Sequence, residues 1–348
     1  MTELDRDVLL ARVTAAAERR WPGAAVRGLR RLPGGVSSLT YSSELSRPGQ
    51  PVTQVVVKVA PVGLEPVRNR DVLRQARVIR LLGAHDGIRV PAVLLEDPAA
   101  PPLFAMELVP GDSYEPLLDV MEHPPPAGVV ALRARSAARM LARIQNLTPV
   151  DLGVEDEPVT SLREELDRWA LLFSTVDGDL CSDHTGLQAR LTATLPAPVD
   201  PTLLHGDYRL ANLLFDDTQL TAVIDWEIWS VGDPRSDLAW LLMHTEPAHY
   251  FRHERCPQDL EAGRGMPRAG VLLDEYLAVR PRPVPDLDWF LAYCHYKTAS
   301  TIAVLVKRNR RLPEPDPLIA VGGESLEAVI ARGHAIMDAV EAGRPWVA

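Results

Sequence analysis

The residues best suited to chemistry sit close together. The chain reads Leu203-Leu204-His205-Gly206-Asp207-Tyr208-Arg209-Leu210-Ala211-Asn212, then Leu213-Leu214-Phe215, the turn Asp216-Asp217-Thr218-Gln219, and a strand from Leu220 to Ile224 that ends in Asp225-Trp226-Glu227. This pattern predicts a loop leading into a β-hairpin whose far end presents a second carboxylate, gathering Asp207, Asn212 and Asp225 around one point. Phosphoryl transfer uses such a set, because the protein must position a hydroxyl and neutralise developing charge rather than form a covalent bond. Asp207 would accept or orient the hydroxyl proton. Asn212 and Asp225 offer the oxygen ligands that a hard cation such as Mg2+ seeks while it bridges nucleotide phosphates. The D-x-x-x-x-N spacing of Asp207 and Asn212 is that of a kinase catalytic loop.

On these residues the chain resembles the aminoglycoside phosphotransferase and choline kinase group, small-molecule relatives of the protein kinases whose catalytic loop has the form H-G-D-x-x-x-x-N. The resemblance covers most of the chain. Through GDYRLANLLF and VIDWEIWSVGDPRSDLAWLL it is similar in particular to the kinase domain fused to acyl-CoA dehydrogenases and to its free-standing bacterial relatives. It implies an α+β, protein-kinase-like bilobal fold, with a small antiparallel β N-lobe carrying one helix and a larger, mainly α C-lobe. It also implies a kinase that uses Mg2+ and ATP, or GTP, to phosphorylate a hydroxyl of a small molecule.

Other roles follow from the resemblance, one position at a time. Lys58 resembles the strand lysine that holds the α- and β-phosphates, the alternative being a strand-end lysine whose ammonium reaches solvent. In Met106-Glu107-Leu108-Val109-Pro110-Gly111, which resembles the hinge, the backbones of Glu107 and Val109 would bond the adenine edge. The turn Pro33-Gly34-Gly35-Val36-Ser37-Ser38 would lie over the phosphates with Ser37 and Ser38 as hydroxyl donors, or be a plain hairpin turn. His205 and Gly206 shape the loop, Asp233 and Asp237 cap a helix or brace that loop, and Glu227 is either near a metal-bound water or a solvated acid. One position departs from the pattern: Gln75 stands where relatives carry the helix glutamate that pairs with the strand lysine. Its amide could still accept from Lys58 without the charge-assisted part of the bond, and Asp71, one turn earlier, could reach over instead.

The elements that must position these groups are legible from periodicity. An amphipathic first helix presents Leu9, Val13 and Ala16. Strands are expected at Val26 to Leu32, Leu39 to Leu45, Gln54 to Val59, Val90 to Leu95 and Pro102 to Leu108, with a helix from Arg70 to Leu82 burying Leu73, Val78, Leu81 and Leu82. Beyond Pro110-Gly111 the pattern becomes helical, at Val129 to Leu147, Leu162 to Phe173, Leu287 to Lys307 and Ser325 to Val340. The expected division is 1–105 for the N-lobe, 106–112 for the hinge and 113–348 for the C-lobe.

Composition narrows the classes. A net charge of -10 argues against general nucleic-acid affinity, and three scattered cysteines suggest neither a disulfide framework nor a zinc cage. No segment reads as a signal peptide or a membrane span, so a cytoplasmic protein is expected. A protein kinase would carry an activation segment ending in A-P-E, for which Asp225-Trp226-Glu227 running into GDPRSDLAW leaves no room. A nucleotide-binding pseudokinase rests on Gln75 alone. Among acceptors, polycationic antibiotics require a carboxylate-lined pocket. The mixed, slightly basic segment Tyr250-Phe251-Arg252-His253-Glu254-Arg255 through Arg264 and Arg268, with the helix around Trp289, Phe290, Tyr293 and Tyr296, suits an anionic or amphipathic acceptor such as a hydroxyacyl-CoA. The alternatives are an aminoglycoside or macrolide acceptor and, for the arginines, a solvated surface.

Overall fold

The computed structural model describes residues 5–32, 38–116, 119, 121, 123–180, 183–245 and 257–344. Ser37 and the rest of the turn before it, the segment around Arg252 and Arg255, Cys181 and Cys256 lie outside the described residues. The chain forms two compact units: Met1–Asp112 with Asn212–Asp216 and Leu220–Trp229, and Ser113–Ala211 with Asp217–Gln219 and Ser230–Ala348.

The first unit is built on β1 (Ala25–Arg31), β2 (Leu39–Ser46), β3 (Thr53–Val59), β4 (Val93–Asp97) and β5 (Leu103–Glu107), an antiparallel sheet in the order β1-β2-β3-β5-β4. The β-branched run of β3 suits a strand flanked on both sides, with Lys58 opposite Thr40 and Phe104. Helix α1 (Arg6–Arg20) buries Leu9, Val13, Ala16 and Ala17 in the sheet's core, and its Arg12 reaches Asp97 of β4 at 2.9 Å. Helix α2 (Val72–Gly83) is capped by Asp71, whose carboxylate accepts from the amides of Leu73 and Arg74. It buries Val78 and Leu82 as the period predicts, but Leu73 and Leu81 are only half-buried, and Val72, Gln75, Ala76 and Ile79 complete the inner face. The helix starts two residues later than expected, after a short 3-10 turn at Arg68–Arg70.

A hairpin of β7 (Leu213–Asp216) and β8 (Gln219–Val223) joins this unit. Asp112 and Phe215 exchange two backbone hydrogen bonds of 2.9 Å, and the Val223 amide donates to Arg89. Gly111, at φ +143°, makes that approach possible: a Cβ there would stand 2.9 Å from the Phe215 carbonyl oxygen.

The second unit is helical, with α3 (Ala127–Gln145), α4 (Pro149–Leu152), α5 (Leu162–Phe173), α6 (His184–Ala193), α7 (Arg235–Met243), α8 (Pro257–Gly263), α9 (Ala269–Val279), α10 (Leu287–Asn309), α11 (Pro317–Glu324) and α12 (Leu326–Glu341). Strands β6 (Thr202–Leu204) and β9 (Ser230–Gly232) pair antiparallel beside them. Helix α10 runs through the core, packed by α5, α7 and α12, and is buried along most of its length. Among the described residues no helix is long and apolar enough to cross a membrane.

Candidate active site

In the first unit the β7–β8 hairpin does the positioning. Asn212 ends a 3-10 turn just before β7, and its backbone oxygen accepts from the Ile224 amide at 2.9 Å, so Asn212 and Asp225 flank the same end of the hairpin. Asp225 takes the left-handed conformation at φ +63°, unusual without a glycine. It begins the turn Trp226–Ile228, whose Trp226 is fully buried and donates its indole N–H to the Val223 carbonyl. Lys58, almost wholly buried, extends to the Asp225 carboxylate, 3.2 Å from Oδ1. The structure thus brings Lys58, Asn212 and Asp225 together within one unit.

Gln75 does not meet Lys58. Its buried amide donates to the Asn69 carbonyl at 3.3 Å, and Asp71 is spent on the helix cap, so neither helix residue takes the place of the pairing glutamate. The carboxylate that answers Lys58 comes from the hairpin instead. On the same helix, Arg74 stacks 3.7 Å over the Trp229 ring and donates to the Trp229 carbonyl, tying α2 to the residues just after Asp225.

At the hinge, the Glu107 amide is already engaged by the Ala92 carbonyl at 2.9 Å, which leaves Glu107 its carbonyl alone as a possible adenine contact. The Val109 amide has no backbone partner among the described residues. Ser38 is fully buried, and its hydroxyl has no hydrogen-bond partner among the described residues.

Asp207 stands in the second unit, in a loop held from several directions. Gly206 bends the chain at φ +87°, and the buried Asp237 carboxylate accepts the amides of His205, at 2.6 Å, and Gly206, at 2.9 Å. Asp237 is therefore the loop's brace, while Asp233 accepts the Arg235 amide at the start of α7 and grips the Arg235 guanidinium at 2.6 Å. His205 is buried and takes the Asp207 amide on Nδ1. The Asp207 carboxylate accepts from the Trp240 indole at 2.9 Å and lies 3.3 Å from Arg209 Nε. Burial pushes its pKa up, but Arg209, Lys297, His205 and His244 together outweigh burial and hold it below the usual carboxylate value.

Trp240, Lys297 and Arg209 were not singled out by sequence reasoning. Trp240 lies in the quoted stretch GDPRSDLAW. Lys297 is the cation in YCHYKTAS, a run otherwise buried, and a lone lysine in such a setting was a signal that it has a partner. In the other direction, Trp289, Phe290, Tyr293 and Tyr296 prove to be core side chains, each 2% exposed or less, not an acceptor surface. The Trp289 indole N–H reaches the Leu191 carbonyl, and the Tyr293 hydroxyl accepts from Trp169 and donates to Glu165. Arg264 is exposed and paired with Glu261 on its own helix and turn.

As donors to a metal, the Asn212 amide oxygen and the Asp225 carboxylate are hard ligands and fit magnesium, an ion that takes one or two protein oxygens and fills its shell with phosphates and water. No group of three or more His, Cys, Asp or Glu side chains that could hold a metal by itself occurs among the described residues.

The profile of the phosphotransferase enzyme family matches residues 28–270. Among curated relatives, acyl-CoA dehydrogenase family member 10 of Mus musculus is 26% identical over 267 residues, 74% of this chain and 24% of its own length. The chain spans about a quarter to a third of the length of the curated relatives it matches first. A solved structure from Ralstonia eutropha JMP134, described as a candidate aminoglycoside phosphotransferase, is similar at a TM-score of 0.73 and 21% identity, over 97% of this chain and 99% of that one. The GDP complex of aminoglycoside 2'-phosphotransferase-IIIa is similar at a TM-score of 0.59 and 16% identity, over 92% of this chain and 98% of the other. At these identities the structures establish the fold, a protein-kinase-like α+β architecture with a five-stranded antiparallel sheet and a helical second unit.

Proposed function

The chain belongs to the phosphotransferase enzyme family; on that premise we propose that it is a small-molecule kinase that moves the γ-phosphoryl group of ATP or GTP, with magnesium, onto a hydroxyl of an anionic or amphipathic acceptor such as a hydroxyacyl-CoA. The observation that carries this reading is the pairing of buried Lys58 with Asp225 at the end of the hairpin that also carries Asn212. A cation and two oxygen donors on one rigid support suit a nucleotide's phosphates and the ion that accompanies them.

In this reading Lys58 binds phosphate oxygens, and Asn212 and Asp225 hold the metal, which when bound neutralises charge on the phosphates. The Ser38 hydroxyl donates to a phosphate oxygen, and the Glu107 carbonyl and Val109 amide read the base edge. Ser37 is assigned with Ser38 on the sequence pattern. Gln75 is removed from the nucleotide-binding set, since its amide is committed to Asn69. Asp207, kept ionised by its cationic neighbours, takes the acceptor's hydroxyl proton.

The acceptor class rests on charge. Next to Asp207 stand Arg209 and Lys297, cations that repel an ammonium-bearing sugar and favour an acceptor carrying phosphate or carboxylate. The kinship with acyl-CoA dehydrogenase family member 10 points the same way.

A nucleotide-consumption screen against aminoglycosides, macrolides, choline-like amines and hydroxyacyl thioesters tests the proposal. Turnover of a hydroxyacyl thioester supports it. Efficient phosphorylation of a kanamycin-type drug with no turnover of any thioester overturns the acceptor class and leaves the kinase.

A further inference from the structure

Asp207 is oriented by two helices that come from distant parts of the sequence. From α7, Asp237 takes the Gly206 amide at 2.9 Å; from α10, the Lys297 ammonium donates to the Gly206 carbonyl at 2.6 Å. The residue that precedes Asp207 is therefore held at both its N–H and its C=O. One turn along α7 from Asp237, the Trp240 indole N–H donates to Asp207 Oδ1 at 2.9 Å. The Lys297 ammonium also lies 4.0 Å over the Trp240 ring, so the cation that grips the loop also packs the indole that grips the carboxylate. His244, on the residue just past α7, backs the arrangement, with its ring 5.3 Å from that of Trp240 and its Nδ1 2.7 Å from the Trp240 carbonyl oxygen.

We propose that Trp240 and Lys297 are positioning residues that fix the rotamer of the Asp207 carboxylate and favour its ionised form, an assignment that rests on Asp207 being the base of the proposed kinase. An indole offers one donor and no acceptor, so a Trp240 held in this place can only orient the acid, never compete for the hydroxyl proton. A lysine half-buried within α10 costs desolvation that its bonds must offset, and here those bonds lead to the loop and to the indole. Among the described residues the charged and titratable groups around Asp207 are His205 and Arg209 of its own loop, Asp237 and His244 from α7 and its end, and Lys297 from α10, with Glu115 and Asp119 behind Arg209. Lys297 is the cation that α10 supplies, and removing it weakens the charged form of the acid.

Steady-state kinetics over a pH range, using whichever acceptor the screen identifies, tests this on the full chain. Trp240→Phe and Lys297→Met are each expected to lower kcat at least tenfold, to leave nucleotide affinity by calorimetry unchanged, and to move the acid limb of the kcat profile to higher pH. Lys297→Arg, which keeps a cation, is expected to recover most of the loss relative to Lys297→Met. Wild-type kcat and an unmoved profile in both Trp240→Phe and Lys297→Met overturn the proposal. So does a kcat loss that comes with a lower melting temperature and no pH shift, since that outcome marks mere structural damage. Asp207→Asn run in parallel separates the two levels: if it stays active the kinase base itself is misassigned, and if it is dead while the two variants behave as wild type, only the positioning role falls.

Discussion

At the scale of single residues, the proposed reaction divides the work between two carboxylates, Asp207 for the acceptor and Asp225 for the nucleotide. Asp207→Asn keeps the shape and the indole contact but cannot take a proton, so turnover is expected to fall by about 10²–10⁴-fold while calorimetric nucleotide affinity stays near wild type. Asp225→Ala removes the anionic oxygen and strands the Lys58 ammonium, so magnesium-dependent nucleotide binding is expected to weaken by at least about tenfold, roughly 1.4 kcal/mol. Unchanged affinity with magnesium present would remove Asp225 from the metal set. Gln75→Glu has an unexpected sign. At first sight it restores a missing acid, yet the Gln75 amide is a buried donor to the Asn69 carbonyl, and an acid there loses that bond and is itself desolvated. The expected result is a loss of about 1–3 kcal/mol in stability by denaturant titration with no gain in nucleotide binding.

Among the elements, the β7–β8 hairpin is the one on which the proposed metal set depends, and its seat is the backbone exchange between Asp112 and Phe215. Gly111 is the weak link of that seat. Any side chain there meets the Phe215 backbone carbonyl as well as the Thr221 hydroxyl, and the φ of +143° is itself costly for an L-residue. Gly111→Ala is therefore expected to lower stability by about 1–3 kcal/mol and to reduce nucleotide affinity with it, read by thermal melts and calorimetry on the same preparation. Helix α7 plays the corresponding part for the acid, since Asp237 and Trp240, three residues apart, face the same loop.

For the whole molecule, buried titratable groups set how stability responds to pH. Burial raises the Glu115 pKa from 4.5 to about 8, against the opposing pull of Arg209 and of the Leu210 and Ala211 amides. Between those values the folded state holds a proton that the unfolded state has released, so this group's contribution falls as pH rises toward about 8. Burial lowers the His244 pKa from 6.5 to about 4, so its contribution runs the other way, falling as pH drops below 6.5. The two oppose each other on the acid side, and only the Glu115 slope persists from pH 6.5 to 8. Glu115→Gln cannot titrate and is expected to flatten the decline over that window by about 1–2 kcal/mol, measured as the pH dependence of denaturant unfolding.

The family was legible in the sequence because the residues that signal it are neighbours along the chain. The H-G-D-x-x-x-x-N loop, the hairpin after it and the aspartate that ends the hairpin form one local segment, and strand and helix periods located β2, β3, α5 and α10 to within a few residues. Long-range partnership was not legible. Lys58 pairs with Asp225 across the sequence, and Gln75 turns away from Lys58, because burial and cap geometry at the start of α2 commit Gln75 to Asn69 and Asp71 to two amides. The aromatic run of α10 read as part of an acceptor surface, since its period does not say which face meets protein, and packing against α5, α7 and α12 makes it core instead. The partners of Trp240 and Lys297 could be found only in three dimensions. A lone lysine in the run of α10 signals a partner without naming it, and only the packing of α7 with α10 brings an indole and an ammonium to a loop that lies far from both in sequence.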